Sequence, residues 1–318
     1  MKRPYFFELF IAANFILIQA LLWRMTRLPL ISLLPIFGLL LPAFVIQAIA
    51  GIAIRFAIQR RAYWQTIRSR AWMTDTARLA IFSVLSAHTY GWIKLAVPLL
   101  HAGLFDRQLW NIDTMMFGGY SPNVFFVTLF GGALRFFDFT YANVFEASIW
   151  IAGIYFLSDP DRRVRINFMN SNAILWIAGA WLYVAVPSLG PAYRFPQVWL
   201  PLAAMLPETQ QLQRILMHNY QNIFRAGAPI NVLYGIGAFP SLHVAFEFLV
   251  WLWLRKLWKP GAILFAVFTI IIFIGSIVTG WHYLIDSLAG LTLAFVAYAA
   301  VAIRKRPETF SAANAPAH

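Results

Sequence analysis

The chain has 318 residues, of which 61% are hydrophobic and 12% charged, and its mean hydropathy of +0.67 is too high for an ordinary soluble domain. The formal net charge of +13 does not indicate a nucleic-acid partner, because basic residues collect in the cytoplasmic loops of membrane proteins. The absence of cysteine excludes disulfides, thiolate metal sites and cysteine nucleophiles. We therefore predict an all-α integral membrane protein that binds no nucleic acid.

Eight apolar runs approach the roughly 20 residues that a helix needs to cross about 30 Å of hydrocarbon. The first run is too long for a signal peptide and no cleavage site of small residues follows it, so we interpret it as a spanning helix. The run 124–134 is too short to span and favours an interfacial or re-entrant helix. The predicted spans are 5–23, 28–54, 79–100, 139–157, 173–189, 241–254, 262–278 and 282–303.

The chain contains no internal repeat and no Gly/Ser-rich linker, which favours one membrane unit with additions at its ends. Residues 1–78 are predicted to form two N-terminal transmembrane helices and a cytoplasmic loop. Residues 79–303 are predicted to form a six-helix catalytic membrane domain, and 304–318 a disordered cytoplasmic tail. A long mixed loop is expected at 190–239.

Clusters of basic residues predict the orientation of the helices. The segments predicted to be loops at 55–78 and 158–170 contain six and three arginines. Further clusters follow the sixth and eighth spans. With both termini in the cytoplasm, eight spans put all of these clusters on the inner side. The sixth and eighth spans then begin at the outer face, in a bacterial inner membrane or in an endomembrane with a lumenal site.

Two short motifs open the sixth and eighth spans. The segment 237–243 reads Gly-Ala-Phe-Pro-Ser-Leu-His, and about forty residues later Thr-Gly-Trp-His-Tyr-Leu-Ile-Asp occupies 279–286. Each motif puts a histidine, His243 or His282, in the first turn of its helix. Asp286 follows His282 by four residues, so the two are expected to share one helix face.

This arrangement suits phosphoryl transfer through a phosphohistidine. Ser241 is a good N-cap, and the free N–H groups of a helix start attract anions such as phosphate. His282, oriented by Asp286, is predicted to be the nucleophile. His243 is predicted to protonate the leaving oxygen and later to deprotonate the acceptor. The mechanism needs no metal or other cofactor, and no metal-binding or nucleotide-binding motif is present.

The two motifs resemble those of the type-2 phosphatidic acid phosphatase superfamily, and within it the inositol phosphorylceramide synthase-like branch. The resemblance covers roughly residues 79–303 and implies His243, His282 and Asp286 as the catalytic triad. The phosphatases usually have glycine where this chain has Leu242, and arginine where it has Ser276. Their first signature, a lysine followed by Arg-Pro, is also missing.

Six further residues are candidates for substrate binding. Ser241 caps the first motif's helix, and Tyr193 and Arg194 lie in the loop that corresponds to a phosphatase signature.

Glu247 follows His243 by four residues and is expected either to orient it or to pair with a neighbouring helix. Lys94 is expected either to form an ion pair with Glu146 or to line the substrate pocket. Arg135 either contacts head-group phosphates or binds anionic lipid unspecifically.

These observations favour a phosphotransferase that moves a phospho-head-group from a phospholipid donor to a lipid acceptor in the membrane. A lipid-phosphate or polyprenyl-phosphate phosphatase is the alternative with the same chemistry. A lipid transporter or flippase that uses the histidines as proton relays is the alternative of another class. Transport sites usually lie near the bilayer midplane, whereas these motifs lie at one membrane face.

Overall fold

The computed structural model describes residues 6–26, 34–225 and 228–302, and every regular element in these ranges is helical. The predicted disordered tail lies outside the described residues. In chain order the helices are α1 (Phe6–Thr26), α2 (Leu34–Ile67), α3 (Arg70–Leu100), α4 (Asp106–Met116), α5 (Pro122–Phe130), α6 (Leu134–Phe139), α7 (Phe145–Leu157), α8 (Arg162–Ala185), α9 (Pro191–Arg194), α10 (Pro196–Trp199), α11 (Pro207–Asn222), α12 (Leu242–Leu257), α13 (Lys259–Val278) and α14 (Leu284–Ala302).

Five helical stretches of the described chain are long and apolar enough to cross a membrane, as expected for an integral membrane protein. They are Phe7–Met25, Gly38–Ile67, Pro122–Leu157, Lys259–Val278 and Leu284–Ala302.

The other three predicted spans correspond to α3, α8 and α12, which do not meet the same standard of length and composition. Helix α12 has only 16 residues. It packs against α8, α13 and α14, and α3 packs against α1, α2 and α8. Helix α12 is thus excluded by its length, whereas α3 and α8, which pack against several other helices, need less apolar surface than helices that face lipid. The predicted count of eight spans stays a prediction.

The basic segments predicted as loops are largely helical. Helix α2 continues to Ile67, with a kink at Arg60, and α3 begins at Arg70. Helix α8 begins at Arg162, where Asp161 accepts a hydrogen bond from the N–H of Arg163 at 2.7 Å. The prediction was wrong here because low hydropathy marks where an apolar stretch ends, whereas a helix ends where its backbone is capped.

The predicted interfacial segment and the predicted fourth span form one helical run, Pro122–Leu157. A single 3₁₀ turn at Gly131–Ala133 and a π turn at Thr140–Val144 join α5, α6 and α7. Gly131 and Gly132, which begin the 3₁₀ turn, therefore change the pitch of the helix without ending it.

Helices α8 and α12 run in opposite directions. Leu242, at the start of α12, packs on Gly179 in the second half of α8. Further along, the indole of Trp253 donates to Ser171 Oγ at 3.0 Å, and Trp258 stacks on Tyr155 near the end of α7. The start of α12 therefore lies at the end of the bundle opposite the loop between α7 and α8. We call the end where α12 and α14 begin the site end.

The opposite end of the bundle carries ion pairs. Arg55 on α2 pairs with Asp159 at 2.7 Å. Arg162 on α8 pairs with Asp75 on α3. These contacts hold α2, α3 and α8 together at the end where the sequence predicts the cytoplasm.

The segments 101–121, 186–225 and 228–239 form a cap over the site end. In its described part, the predicted mixed loop at 190–239 contains two helices of four residues each, α9 and α10, and the 16-residue helix α11. Asp138 accepts hydrogen bonds from the N–H groups of Glu208 and Thr209, both at 2.9 Å, and so caps α11. These two hydrogen bonds connect the cap to α6, which is part of the helical run Pro122–Leu157.

Candidate active site

The two motif histidines lie side by side at the site end, with their ring centroids 6.1 Å apart. The N–H of Ser241 donates to the carbonyl of Asp286 at 2.9 Å, which fixes the start of α12 against the first turn of α14. A Cβ atom at Gly290 would lie 2.3 Å from the Ser241 carbonyl oxygen. Glycine is therefore required for this close approach, and the approach brings the two motifs together.

His282 is oriented by a backbone carbonyl. Its Nδ1 lies 2.8 Å from the carbonyl oxygen of Ala238, in the first motif. Because a carbonyl oxygen only accepts hydrogen bonds, Nδ1 must carry the proton. The neutral ring then has its lone pair on Nε2. The first motif therefore selects the tautomer that can act as a nucleophile through Nε2.

Asp286 lies next to His282, as the i,i+4 spacing predicts, but it is the more distant partner. Its Oδ2 is 3.5 Å from His282 Nδ1 and accepts a hydrogen bond from the N–H of Tyr283 at 2.9 Å. Its Oδ1 is buried without a hydrogen-bond partner among the described residues. The carboxylate is close enough to stabilise positive charge on the imidazole, whereas the geometry of the ring depends on Ala238.

His282 lies just before its helix, not in its first turn. Helix α14 begins at Leu284, because Asp113 of α4 accepts hydrogen bonds from the N–H groups of Leu284 and Ile285 at 2.6 and 2.8 Å. Gly280, with φ of 77°, makes the turn that precedes the histidine, and a side chain there would collide with Trp199.

Aromatic side chains surround His243. Its ring lies 4.1 Å from that of Phe145 and 4.9 Å from that of Tyr141, and Tyr141 stacks on Trp281. Its Nδ1 is buried and has no hydrogen-bond partner among the described residues. The ring is therefore positioned by packing and not by a carboxylate.

Glu247 does not take the orienting role considered for it. Its Oε1 accepts a hydrogen bond from Ser148 Oγ on α7, and its side chain is completely buried. The alternative prediction, a contact with a neighbouring helix, is therefore the one observed.

Ser241 is the N-cap residue of α12, as predicted, but its side chain makes no capping hydrogen bond. The hydroxyl is completely buried and has no partner among the described residues. It is thus a polar group beside the two histidines that remains available to a ligand.

Lys94 is a cation whose positive charge reaches both motif histidines. Its charge acts on both His243 and His282, and its ammonium lies 5.5 and 5.7 Å from the ring centroids of Tyr183 and Tyr90. The alternative ion pair with Glu146 is not among the ion pairs of the described residues, and Glu146 is exposed on α7. Lys94 therefore fits the substrate-pocket role.

The remaining predicted binding residues lie in or near the cap. Tyr193 donates from its hydroxyl to the carbonyl of Gln213 at 3.0 Å, and its ring packs edge-on against Trp281. Burial raises the pKa of Tyr193, which keeps the phenol neutral. Arg194 and Arg135 are both exposed, and no described hydrogen bond or ion pair brings either guanidinium to the histidines.

Two aspartates of α4, missed by the sequence interpretation, attach the cap to the second motif. Asp106 accepts hydrogen bonds from the N–H of Gly190 and the hydroxyl of Tyr283, both at 2.9 Å. Burial raises the pKa of Asp113 to about 6, although the hydrogen bonds from Leu284 and Ile285 oppose the rise. At neutral pH it is therefore ionised and caps α14. The sequence feature that could have identified Asp106 and Asp113 is their spacing of seven residues, which puts two acidic side chains on the same helix face.

The fold and the site together define a helical membrane protein with two histidines facing one another at one end of the bundle. A family model described as the PAP2 superfamily matches residues 107–300, more than half of the chain. The chain therefore belongs to the PAP2 superfamily, whose members are generally phosphatases or phosphotransferases, and this supports an enzyme. No curated protein and no solved structure matches the chain.

Proposed function

We propose that this protein is a membrane phosphotransferase that moves a phospho-head-group from a phospholipid to the hydroxyl of a lipid acceptor through a phosphohistidine. The observation that carries the proposal is the 2.8 Å contact between His282 Nδ1 and the carbonyl of Ala238. This contact leaves the lone pair of Nε2 available in a site where a second histidine lies 6.1 Å away. One imidazole is thus prepared as a nucleophile, and the other is near enough to exchange a proton with the leaving group.

In the first step, Nε2 of His282 attacks the phosphorus of the donor. The bond from phosphorus to the oxygen of the donor's lipid alcohol breaks, and that oxygen takes a proton from His243. In the second step, the acceptor hydroxyl gives its proton to His243 and its oxygen attacks the phosphorus. The nitrogen–phosphorus bond then breaks and returns the electron pair to His282, so that no group is consumed besides the two substrates.

Three groups around the histidines suit the charges that develop in these steps. Lys94 and the free hydroxyl of Ser241 are suited to hold the phosphate oxygens. Asp286, 3.5 Å from Nδ1, is suited to stabilise the imidazole when phosphorylation makes it cationic. None of these functions requires a metal ion.

Two departures from the phosphatase pattern support the transferase branch. Leu242 packs on Gly179 of α8, and Ser276 hydrogen-bonds to Ser287 at 3.1 Å between α13 and α14. Both positions serve helix packing here. A site without the usual phosphatase arginine is less suited to hold a phosphomonoester dianion and better suited to a phosphodiester with a single charge.

The cap also favours transfer over hydrolysis. The N–H of Ala192 donates to the carbonyl of Gly280 at 2.9 Å, and Tyr283 is bonded to Asp106. These contacts close the cap over the turn that carries His282. A covered site disfavours water as the acceptor relative to an alcohol that arrives from the bilayer.

The proposal is tested with purified protein in vesicles that contain a phospholipid labelled in its head-group phosphate. With the donor alone, release of water-soluble label should be slow. Adding a lipid alcohol should speed donor consumption and give a new labelled phospholipid. If a lipid phosphomonoester is instead hydrolysed quickly and without regard to added alcohol, the protein is a phosphatase.

We further propose that the site end faces the extracytoplasmic side. The natural chain has no cysteine, so single-cysteine variants give an unambiguous reading. Gln211 on α11 and Gln65 on α2 are both exposed. In intact cells, a membrane-impermeant thiol reagent should modify Gln211→Cys and not Gln65→Cys. Modification of the second variant alone would place the active site in the cytoplasm.

A further inference from the structure

A partly open apolar cavity of about 270 Å³ lies between α1, α2, α3, α7, α8 and α12, and Leu233 of the segment 228–239 also lines it. An apolar cavity of about 150 Å³ is enough to hold a benzene molecule in another protein. The larger space here therefore has room for a segment of hydrocarbon chain. Its lining is mostly aliphatic and aromatic, so that hydrocarbon is also the chemically matched ligand.

The residues that line the cavity extend along the axes of three helices. It is lined along α3 from Phe82 to Tyr90, along α7 from Ile149 to Leu157, and along α8 from Phe168 to Trp176. Each of these stretches advances by eight residues, or about 12 Å at 1.5 Å per residue. This length is most of one leaflet of a bilayer whose hydrocarbon core is about 30 Å thick.

One end of the cavity lies next to the histidines. Phe246 lines the cavity and packs edge-on against Phe145, with the ring centroids 5.9 Å apart. The ring of Phe145 in turn lies 4.1 Å from that of His243. Tyr90, also in the lining, lies beside Lys94. A molecule in the cavity would therefore have its polar end next to His243 and its apolar end deep in the bundle.

The wall is completed by helices that the family model does not match. Phe7 and Ile11 of α1 and Phe44 and Gln47 of α2 all line the cavity. The family match begins at residue 107, after α1, α2 and α3. These helices thus give this chain a part of the cavity wall that the matched region alone would not supply.

We infer that this cavity holds the hydrocarbon chain of the acceptor lipid alcohol and directs its hydroxyl to His243. The inference rests on the proposed function, in which His243 takes the proton of the acceptor hydroxyl. The cavity adjoins His243 through Phe145, and Leu233 of the segment 228–239 also lies in its lining. The acceptor hydroxyl therefore reaches His243 from the side of the helix bundle, where α1 and α2 help to select the length of the chain.

The first test fills the cavity from α7. Ala152 lines the cavity and is 2% exposed, whereas Ala147 is exposed on the same helix. Ala152→Leu should raise the KM for a long-chain alcohol about ten-fold or more. A mismatch of one or two methylene groups in an apolar pocket has an effect of about this size. Ala152→Leu should change the KM for a short-chain alcohol less than two-fold, and Ala147→Leu should change neither. Equal effects of Ala152→Leu on both alcohols would overturn the inference.

The second test uses the unaltered protein, so that it does not depend on the folding of a variant. A lipid alcohol with a diazirine at the far end of its chain should label peptides that contain Leu157 or Met169, and excess unlabelled alcohol should prevent this. Labelling confined to the lipid-facing side of α13 would overturn the inference. Labelling in the cavity without any transfer would instead refute the proposed function and leave the cavity as a lipid site.

Discussion

Replacing His282 with alanine should reduce turnover to the background rate and abolish covalent labelling by the donor. The imidazole is the only group in the proposed mechanism that bonds to phosphorus, so nothing else replaces it. The removal of a covalent nucleophile from another enzyme costs on the order of 10⁶-fold in kcat. The measurement is donor consumption in vesicles, together with mass spectrometry of the peptide that contains residue 282.

The matched control is His218→Ala, which removes an exposed histidine of α11 and should leave activity unchanged. Thermal unfolding of both variants checks that the fold is intact. Near-normal turnover by a folded His282→Ala protein would show that the nucleophile has been assigned incorrectly.

Replacing His243 with alanine should separate the two halves of the reaction. The variant cannot protonate the leaving oxygen, so turnover with a natural donor should fall by about 10²–10⁴-fold. A donor with a nitrophenol leaving group needs no protonation, and with it His282 should still become labelled. The label should then persist, because no base remains to activate the acceptor hydroxyl.

The test is a comparison of burst amplitude and steady-state rate for natural and activated donors. If the activated donor loses as much in the labelling step as the natural one, His243 does not act as the acid. If the label disappears as quickly as in the unaltered protein, His243 does not act as the base.

Much of the helical organisation could be predicted from the sequence, because a helix that crosses hydrocarbon needs a long run of apolar side chains, which leaves a strong hydropathic signal. The ends of the helices could not. Helices α2 and α8 extend into charged segments such as 55–67, where Arg55 pairs with Asp159 across the bundle. Such stabilisation comes from partners that are distant in the chain, and local composition does not indicate it.

The pairing of His243 with His282 was also predictable, since both motifs open helices at the same predicted depth. The group that orients His282 was not, because the carbonyl of Ala238 has no side-chain signature. The same holds for Asp106 and Asp113, whose partners are mainly backbone N–H groups of the cap and of α14. Side-chain types thus indicated the chemistry, and the fold supplied the backbone groups that position it.

In the proposed mechanism the phosphohistidine delivers its group to a lipid alcohol, and a pulse-chase experiment follows this delivery. Protein labelled by the donor in the absence of an acceptor is isolated and then chased with buffer or with a long-chain lipid alcohol. We expect the label on His282 to be stable in buffer and to appear as a new phospholipid when the alcohol is added. Loss of the label as a water-soluble product, at the same rate with and without the alcohol, would show that water and not the lipid alcohol is the acceptor.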